Sequence, residues 1–304
     1  RILYFERLDK KKTASNYICA FKHFKRFRGD QDIAIEDLTV GQMKDFQSYL
    51  IGEGLRMNTI SLYNRELRAV YNYALDEEII QMDKRPFRKS FTGQEKTRKR
   101  AVDGGVVKRL AILSLIDKEM LGFARDLFLF SIYMQGMPFI DMAYLKKEQV
   151  RNGCITYQRR KTNRQLRVKI HPQAQIIIDR YMVSDPGCPY LFPILYDPEK
   201  KTEREYSSAL RVYNKRLDSL SSLLELDEPL TSYVARHTWA SLARQCGTSD
   251  TVISEAMGHS HVGVTTIYLA SLDIGMVAMA NDNLAVQKAY PLMGSHENWI
   301  FEDF

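Results

Sequence analysis

The stretch from Leu230 to Leu269 reads LTSYVARHTWASLARQCGTSDTVISEAMGHSHVGVTTIYL, and its composition predicts a compact helical unit. Thr231–Ser232 offers an N-cap to a first helix, whose apolar residues recur at helical spacing until Gly247. Ser249–Asp250 caps a second helix that ends at Gly258, because glycine adopts the left-handed conformation without steric strain. With a third short helical run after it, the stretch is predicted to hold three helices joined by two tight corners.

Three polar residues stand at informative places in these helices. Arg236 lies on the polar face of the first helix, His259 directly follows the second, and Tyr268 lies in the third. Because tight corners bring residues that are distant in sequence close together, we predict that all three reach one phosphate group. A guanidinium can bind a phosphate through two parallel hydrogen bonds, which suits Arg236 to this task.

Composition limits the class of protein. With 304 residues the chain is long enough for two domains, and 45% hydrophobic and 11% aromatic residues exclude a largely disordered protein. The net charge of +7 favours a polyanionic partner. No apolar run is long enough to span a membrane, and the four widely spaced cysteines indicate reduced thiols rather than metal ligands. Because the sequence begins at Arg1 and not at Met, we expect N-terminal residues to be missing.

Residues 1–83 are predicted to form a helical bundle. Thr13 can cap a first helix with an aromatic stripe that includes Phe21. Thr39 with Gln42 forms a capping box before a second helix, and a third helix follows two glycines. The many lysines and arginines of these helices are either an ordinary solvated surface or contacts to a phosphate backbone.

Residues 84–100, KRPFRKSFTGQEKTRKR, are predicted to form a basic linker. Eight lysines and arginines stand against one glutamate, with Pro86 and Gly93 and without an apolar helical stripe. A nuclear-localisation tract has a similar composition, but a basic connection between two domains also suits a protein that binds DNA. The predicted DNA contacts of this linker are Lys96, Arg98, Lys99 and Arg100.

The second half, residues 101–283, is predicted to be mainly α with one small antiparallel sheet. Its central helix is the apolar run from Phe123 to Met134. Between Val150 and Ile170 the hydrophobic period changes to two, which predicts a β-hairpin with Lys161 near its tip. Other predicted segments are helices over Pro172 to Met182 and Ser207 to Leu224, and a C-terminal tail over residues 284–304.

Together these features resemble the tyrosine recombinases, the phage-integrase and Xer-type family. The resemblance rests, in chain order, on the basic linker, the apolar helix, the hairpin lysine, ARHTWAS, MGHS and TTIYL, whose Tyr268 follows His259 by nine residues. It covers almost the whole chain, and these segments are similar to the branch carried by conjugative and integrative elements of bacteria. It implies a SAM-like helical core-binding domain over residues 1–83 and a tyrosine-recombinase catalytic domain over residues 101–283.

The resemblance implies a role for each site residue. Tyr268 is the expected nucleophile and forms a 3′-phosphotyrosine, while Arg236 holds the phosphate. Lys161 gives a proton to the leaving 5′-oxygen, and His259 bonds the phosphate or assists the phenol. Because the covalent bond conserves the energy of the phosphodiester, we expect neither ATP nor a metal nor another cofactor.

Two positions depart from the family pattern. Pro138 occupies the place of the first arginine, although Asp141 matches the acidic residue that follows it. Tyr233 stands where the H-x-x-R motif usually has histidine, and its phenol can still bond a phosphate. Losing one donor to a developing oxyanion slows a reaction by about 10²- to 10³-fold, which is serious without abolishing the reaction. The side chains that could fill the gap are Arg159, Arg160 and Arg164, all expected to be DNA-binding surface residues, and Gln135.

The sequence therefore predicts a site-specific DNA recombinase, an integrase that cuts and rejoins double-stranded DNA. Its expected partners are three further copies of itself in a tetramer on DNA, and accessory DNA-bending proteins. We expect it in the bacterial cytoplasm, associated with the nucleoid when bound to DNA. Three alternatives stay open: a catalytically weakened DNA-binding or architectural protein on the same fold, an enzyme that relaxes DNA as type IB topoisomerases do, and a transcription factor.

Overall fold

The computed structural model describes residues 1–29, 31–95 and 101–258. The chain divides into two compact units, Arg1–Arg98 and Lys99–Phe304. Both units are built mainly from helices, and the second also contains small antiparallel sheets. The predicted fold class, mainly α with a small antiparallel component, is confirmed.

The first unit is a helical bundle with one well-defined cap. Thr39 Oγ1 accepts a hydrogen bond from the Gln42 backbone at 3.2 Å, and Gln42 Oε1 accepts one from the Thr39 backbone at 2.9 Å. The predicted capping box is thus confirmed. The predicted cap at Thr13 is wrong, because its helix already begins at Lys11. The helices of this unit are α1 (Ile2–Arg7), α2 (Lys11–Phe27), α3 (Val40–Gly52) and α4 (Met57–Asp76).

Aromatic rings form the centre of this bundle. Phe46 is fully buried, and its ring meets that of Phe24 edge to face with 5.1 Å between the centroids. Phe21, predicted to share the apolar stripe of α2, is instead exposed. The buried stripe of α2 passes through Tyr17 and Ala20 to Phe24 and leaves Phe21 to one side.

The segment after α4 is attached to that helix. Ser61 Oγ donates to the Gly93 carbonyl at 2.6 Å, and Asn64 Nδ2 donates to the Phe91 carbonyl at 3.0 Å. Phe87 is buried among the residues of the first unit. Residues 87–93, which belong to the sequence predicted as a linker, are therefore packed chain rather than a loose connection.

The second unit is organised around a helix whose C-terminal half is buried on all sides. Phe128, Leu129 and Phe130 are consecutive and fully buried, which is typical of a helix surrounded by other elements. This helix packs against its neighbours α5, α8, α9 and α10. The helices are α5 (Gly104–Ile112), the buried α6 (Glu119–Tyr133), α7 (Phe139–Ala143), α8 (Pro172–Tyr181), α9 (Tyr206–Leu223), α10 (Val234–Gln245) and α11 (Asp250–Ala256).

The predicted hairpin is confirmed as part of a sheet with the order β1-β2-β3. Its register pairs Cys154 with Lys169 and Gln158 with Gln165. The prediction of a single sheet is wrong, because a second ladder of two residues per strand forms further along the chain; strands this short leave no alternation in the sequence. The strands are β1 (Val150–Arg151), β2 (Cys154–Gln158), β3 (Gln165–Lys169), β4 (Tyr196–Asp197) and β5 (Thr202–Glu203).

Helices α10 and α11 meet at a tight corner. The predicted cap at Thr231–Ser232 is wrong: α10 begins at Val234, and its cap position is Tyr233. The second predicted cap is confirmed, since the Ser249 side chain accepts a hydrogen bond from the first turn of α11. Gly258 follows α11 with φ of +60°, the left-handed conformation expected there.

Candidate active site

Residues from five parts of the second unit line a cavity of about 480 Å³. They come from α7 and the residue before it, the position after β2, the hairpin tip, α9 and the start of α10. The cavity brings together three of the five predicted catalytic residues, Lys161, Tyr233 and Arg236. Its wall also contains Pro138, Asp141 and Arg159.

Arg236 is the most firmly held side chain of this cavity. It is only 4% exposed. Its Nη1 donates to the Gly136 carbonyl at 2.8 Å and its Nη2 donates to the Met257 carbonyl at 2.6 Å. These carbonyls lie 100 and 21 residues away in the sequence, so the tertiary fold orients the guanidinium before any ligand arrives.

Gly136 allows the turn after α6 to approach α10 closely, which places the Gly136 carbonyl beside Arg236. Its φ of +70° is in the left-handed region, which side chains rarely adopt. A Cβ at this position would lie 3.1 Å from Arg236 Cα and 3.2 Å from Arg236 Cγ. Any other residue at this position would therefore strain the backbone and push the turn after α6 away from α10.

The surroundings of Arg236 lower its pKa but leave its guanidinium protonated. Burial, and after it the charge of Arg159, lowers the pKa of Arg236 to about 10. The nearby Tyr157, Tyr233 and Asp141 act in the opposite direction. Arg236 therefore keeps its positive charge at neutral pH in a poorly solvated place.

Arg159 is not the surface residue that the sequence led us to expect. It is 5% exposed, and its Nη1 donates to the Gly258 carbonyl at 2.6 Å. Its Nε lies 4.0 Å from Asp141 Oδ2. Gly258 makes room for it, because a Cβ there would lie 3.3 Å from Arg159 Cδ. The side chain thus lies inside the second unit and not on its surface.

The sequence contains a signal that predicts this burial. Ile155 and Tyr157 are buried on one face of β2, while Gln158 is exposed. Side chains alternate between the two faces of a strand, so Arg159, two positions after Tyr157, continues the buried face. The alternation along the strand, rather than the charge of the side chain, is thus the sequence feature that indicates the burial of Arg159.

Asp141 is the acidic group beside both arginines. Its Oδ1 accepts a hydrogen bond from the Arg160 backbone at 3.0 Å. Burial raises the pKa of Asp141, although the Arg160 N–H and the charges of Arg159 and Arg236 act against that rise. The carboxyl therefore connects α7 to the hairpin.

Lys161 and Tyr233 differ from the arginines because both are exposed. Lys161 lies at the hairpin tip, where its neighbour Thr162 donates from Oγ1 to the Gly258 carbonyl at 3.2 Å. The Tyr233 ring contacts the His237 ring edge to face, with 4.5 Å between the centroids. Both side chains line the cavity with groups that are solvated and can meet a ligand from outside.

The other two arginines of the hairpin are engaged outside the cavity. The Arg160 guanidinium lies over the Tyr144 ring, 3.8 Å from its centroid. Arg164 forms an ion pair with Glu255. Their contacts to DNA stay a prediction.

The remaining predicted residues lie outside the described residues, namely His259, Tyr268, Lys96, Arg98, Lys99 and Arg100. Within residues 1–29, 31–95 and 101–258, no three His, Cys, Asp or Glu side chains form a group that could hold a metal ion. In the same part of the chain, no helix combines the length and the apolar character that crossing a membrane requires.

Two family models match the sequence. The phage integrase SAM-like domain matches residues 3–91, and the phage integrase family matches residues 109–273. No curated protein sequence matches closely enough to count as a relative.

Solved structures share the fold at low sequence identity. The chain is similar to lambda integrase in a dimer bound to a COC′ core site, with a TM-score of 0.65, 15% identity and coverage of 99% of this chain and 97% of that chain. It is similar to the Tn1549 transposon integrase in complex with circular intermediate DNA, with a TM-score of 0.62, 13% identity and coverage of 90% and 92%. It is also similar to lambda integrase in a tetramer bound to a Holliday junction, with a TM-score of 0.64, 16% identity and coverage of 86% and 72%.

Proposed function

This chain belongs to the phage integrase family, and we propose that it is a site-specific DNA recombinase that cuts and rejoins duplex DNA through a 3′-phosphotyrosine. The observation that carries the proposal is the buried guanidinium of Arg236, fixed by two carbonyls at the wall of a cavity. A cation that is oriented in advance stabilises negative charge that develops on a phosphate, because little reorganisation is needed during the reaction.

The proposed cutting step exchanges one phosphate ester for another. The phenolic oxygen of Tyr268 attacks the scissile phosphorus and forms a new bond, while the bond from phosphorus to the 5′-oxygen breaks. The phenolic proton passes to His259, and Lys161 gives a proton to the leaving 5′-oxygen. In the rejoining step, the 5′-hydroxyl of a partner duplex gives its proton to the neutral Lys161 and attacks the phosphorus, the bond from phosphorus to the Tyr268 oxygen breaks, and the tyrosine takes its proton back from His259.

Arg236 and Tyr233 act on the phosphate itself in this proposal. Arg236 binds the non-bridging oxygens, whose charge grows as the phenol attacks. Tyr233 donates a hydrogen bond from its exposed phenol in place of the usual histidine. The energy of the cleaved ester is retained in the phosphotyrosine, so the scheme uses no ATP.

The rest of the chain serves DNA binding in the same proposal. Residues 1–83 act as the core-binding domain and residues 101–283 as the catalytic domain, and the basic residues of 84–100 contact phosphates. Recombination cuts both strands of two duplexes, which needs four copies of the chain; lambda integrase forms a tetramer on a Holliday junction. Accessory DNA-bending proteins assist assembly, and the protein works on the nucleoid in the bacterial cytoplasm.

A pool of nicked duplexes with a randomised core tests the proposal without knowledge of the target site. Cleavage next to a nick lets the short fragment diffuse away, so the covalent adduct accumulates and survives denaturation. We expect adducts enriched for related core sequences with the wild type and none with Tyr268→Phe. Tyr73→Phe, which removes the hydroxyl of an exposed tyrosine in α4, is the matched control and should form adducts normally.

The same assay separates the alternatives. DNA binding without any adduct would favour a catalytically weakened architectural protein. This alternative is tested because Pro138, at the place of the first arginine, carries no charge. Adducts with unrelated sequences, together with relaxation of any supercoiled plasmid, would favour a topoisomerase-like activity. Enrichment of one core sequence combined with strand exchange between two duplexes supports the recombinase.

A further inference from the structure

We propose that Arg159 supplies the second guanidinium of the active site, binding a non-bridging oxygen of the scissile phosphate beside Arg236. The inference rests on the proposed function and adds a catalytic residue to it. A phosphodiester under attack carries growing charge on two non-bridging oxygens, and Arg236 already spends two of its N–H groups on the Gly136 and Met257 carbonyls, so a second guanidinium adds donors for that charge. Pro138, at the place where a first arginine is expected, has no side-chain donor to offer.

Arg159 is buried with a donor that lacks a partner. Its Nη1 is bonded to the Gly258 carbonyl, whereas its Nε has no hydrogen-bond partner among the described residues. The nearest carboxylate oxygen, Asp141 Oδ2, is 4.0 Å away, too far for a hydrogen bond. A charged donor that is buried and unsatisfied destabilises the empty site, so an acceptor oxygen that enters the cavity is bound favourably.

The same corner of the chain holds Arg159 and Arg236. The consecutive carbonyls of Met257 and Gly258 accept hydrogen bonds from Arg236 and Arg159 respectively. The charge of Arg159 contributes to the lowered pKa of Arg236, as expected for two cations close together. Among the described residues of the cavity wall Asp141 is the one carboxylate, so the two guanidiniums there retain an excess of positive charge. A phosphate next to both would compensate that excess.

The other arginines of the hairpin are less suited to this role. Arg160 is exposed and stacks on Tyr144, and Arg164 pairs with Glu255. Arg159 lines the same cavity as Pro138, and it is the buried one of the three. The charge that is missing at the turn before α7 is therefore supplied from the end of β2.

The experiment measures how fast the full chain forms the covalent adduct in a single turnover, on a nicked duplex recovered from the randomised pool. Arg159→Gln should lower this rate by about 10²- to 10³-fold, as expected for loss of one donor to a developing oxyanion. Arg151→Gln removes an exposed arginine from β1 of the same sheet and should stay within about twofold of the wild type. Gel-shift titrations of both variants separate weaker DNA binding from slower cleavage.

Two further readouts distinguish catalysis from a purely structural role. The first is the double variant Pro138→Arg/Arg159→Gln. Position 138 has φ −64° and ψ 150°, which an arginine adopts without strain, so its guanidinium should restore the rate at least about tenfold over Arg159→Gln alone.

The second readout is a duplex with a neutral methylphosphonate at the scissile position. Because one charged oxygen is then absent, the wild type should exceed Arg159→Gln by a smaller factor than on normal DNA.

The outcomes separate this inference from the proposed function. If the wild type forms no adduct, both are wrong. If the wild type and Arg159→Gln form adducts equally fast, only the role of Arg159 is wrong. A slow Arg159→Gln whose loss neither Pro138→Arg nor the methylphosphonate reduces would mean that Arg159 acts only in the structure, and would overturn the inference. A loss that both readouts reduce supports it.

Discussion

Arg236 and Arg159 line one cavity but reach it from different kinds of structure. Arg236 projects from helix α10 and Arg159 from the end of strand β2. Each donates to a carbonyl that follows α11, and each lies against a glycine with positive φ, Gly136 and Gly258 respectively. The difference is that Arg236 has a second carbonyl, whereas Arg159 Nε has no hydrogen-bond partner among the described residues. A positive charge can therefore reach the cavity from a helix or from a strand, as long as the fold brings that helix or strand to the cavity.

Arg236→Lys tests the more firmly held side of this comparison and should have the largest effect. The planar guanidinium can donate to the Gly136 and Met257 carbonyls and still bind a phosphate with two parallel hydrogen bonds. A lysine ammonium cannot do both. We expect covalent adduct formation to slow by about 10²- to 10³-fold. DNA affinity should change much less, because one phosphate contact is lost among many.

Arg244→Lys is the matched control for this variant. Arg244 lies on the same helix, is exposed and pairs with Asp250 at 2.7 Å, an arrangement that contributes little to stability. Its adduct rate should equal that of the wild type. An equal rate for Arg236→Lys would show that any positive charge suffices here, and the distinction between the two arginines would then disappear.

Local chemistry explains which features could be predicted from the sequence. The Thr39 capping box, the hairpin and the left-handed Gly258 depend on neighbours within a few residues, and all three are confirmed. The cap at Thr231–Ser232 is wrong for a tertiary reason. The Ser232 backbone donates to Asn214 Oδ1 at 2.8 Å, and this contact with α9 replaces the local cap.

The candidate site also combines residues that local sequence predicts with contacts that depend on distant parts of the chain. Arg236 could be recognised from its motif, and strand alternation placed Arg159 on the buried face. Arginine is rarely buried unless it is paired, and its partners, Gly258 and Asp141, lie 99 and 18 residues away in the sequence. Only the three-dimensional fold shows that these partners exist, so the sequence alone favoured a surface position for Arg159.

Gly136→Ala and Gly258→Ala compare the supports of the two arginines. Both positions have positive φ, but a Cβ at Gly136 meets the Arg236 backbone at 3.1 Å, whereas at Gly258 it meets the end of the Leu166 side chain at 3.0 Å. Backbone cannot move aside as a side chain can. We expect Gly136→Ala to destabilise the second unit by about 2 kcal/mol, or about 4 to 8 °C in Tm, and Gly258→Ala by less.

Gly247→Ala is the control for these two variants. Its φ is +83°, but an added Cβ would meet open space among the described residues, so it measures backbone strain alone. Thermal melting followed by circular dichroism compares the three. If Gly136→Ala melted no lower than Gly247→Ala, the close packing of the turn on Arg236 would not be important for stability.

Asp141→Asn tests the carboxyl that the two arginines share, and we expect the smallest effect. Burial raises the pKa of Asp141, so the folded protein holds this proton at higher pH than the unfolded chain does. Its stabilising contribution is therefore fully present below the unfolded pKa of about 4 and is lost as the pH rises through the folded pKa. Asparagine does not titrate, so the Tm of the wild type minus that of Asp141→Asn should fall with rising pH and then level off.

Asp185→Asn is a control for which the difference in Tm is expected to change with pH in the opposite direction. The Tyr196 hydroxyl, and after it the Gly187 N–H, lowers the pKa of Asp185, so its contribution is lost as the pH falls through the folded pKa. The wild type should lose its advantage over Asp185→Asn in acid and over Asp141→Asn as the pH rises. If both differences moved in the same direction, Asp141 would be held charged by the two arginines, and one of their two positive charges would already be balanced without a phosphate.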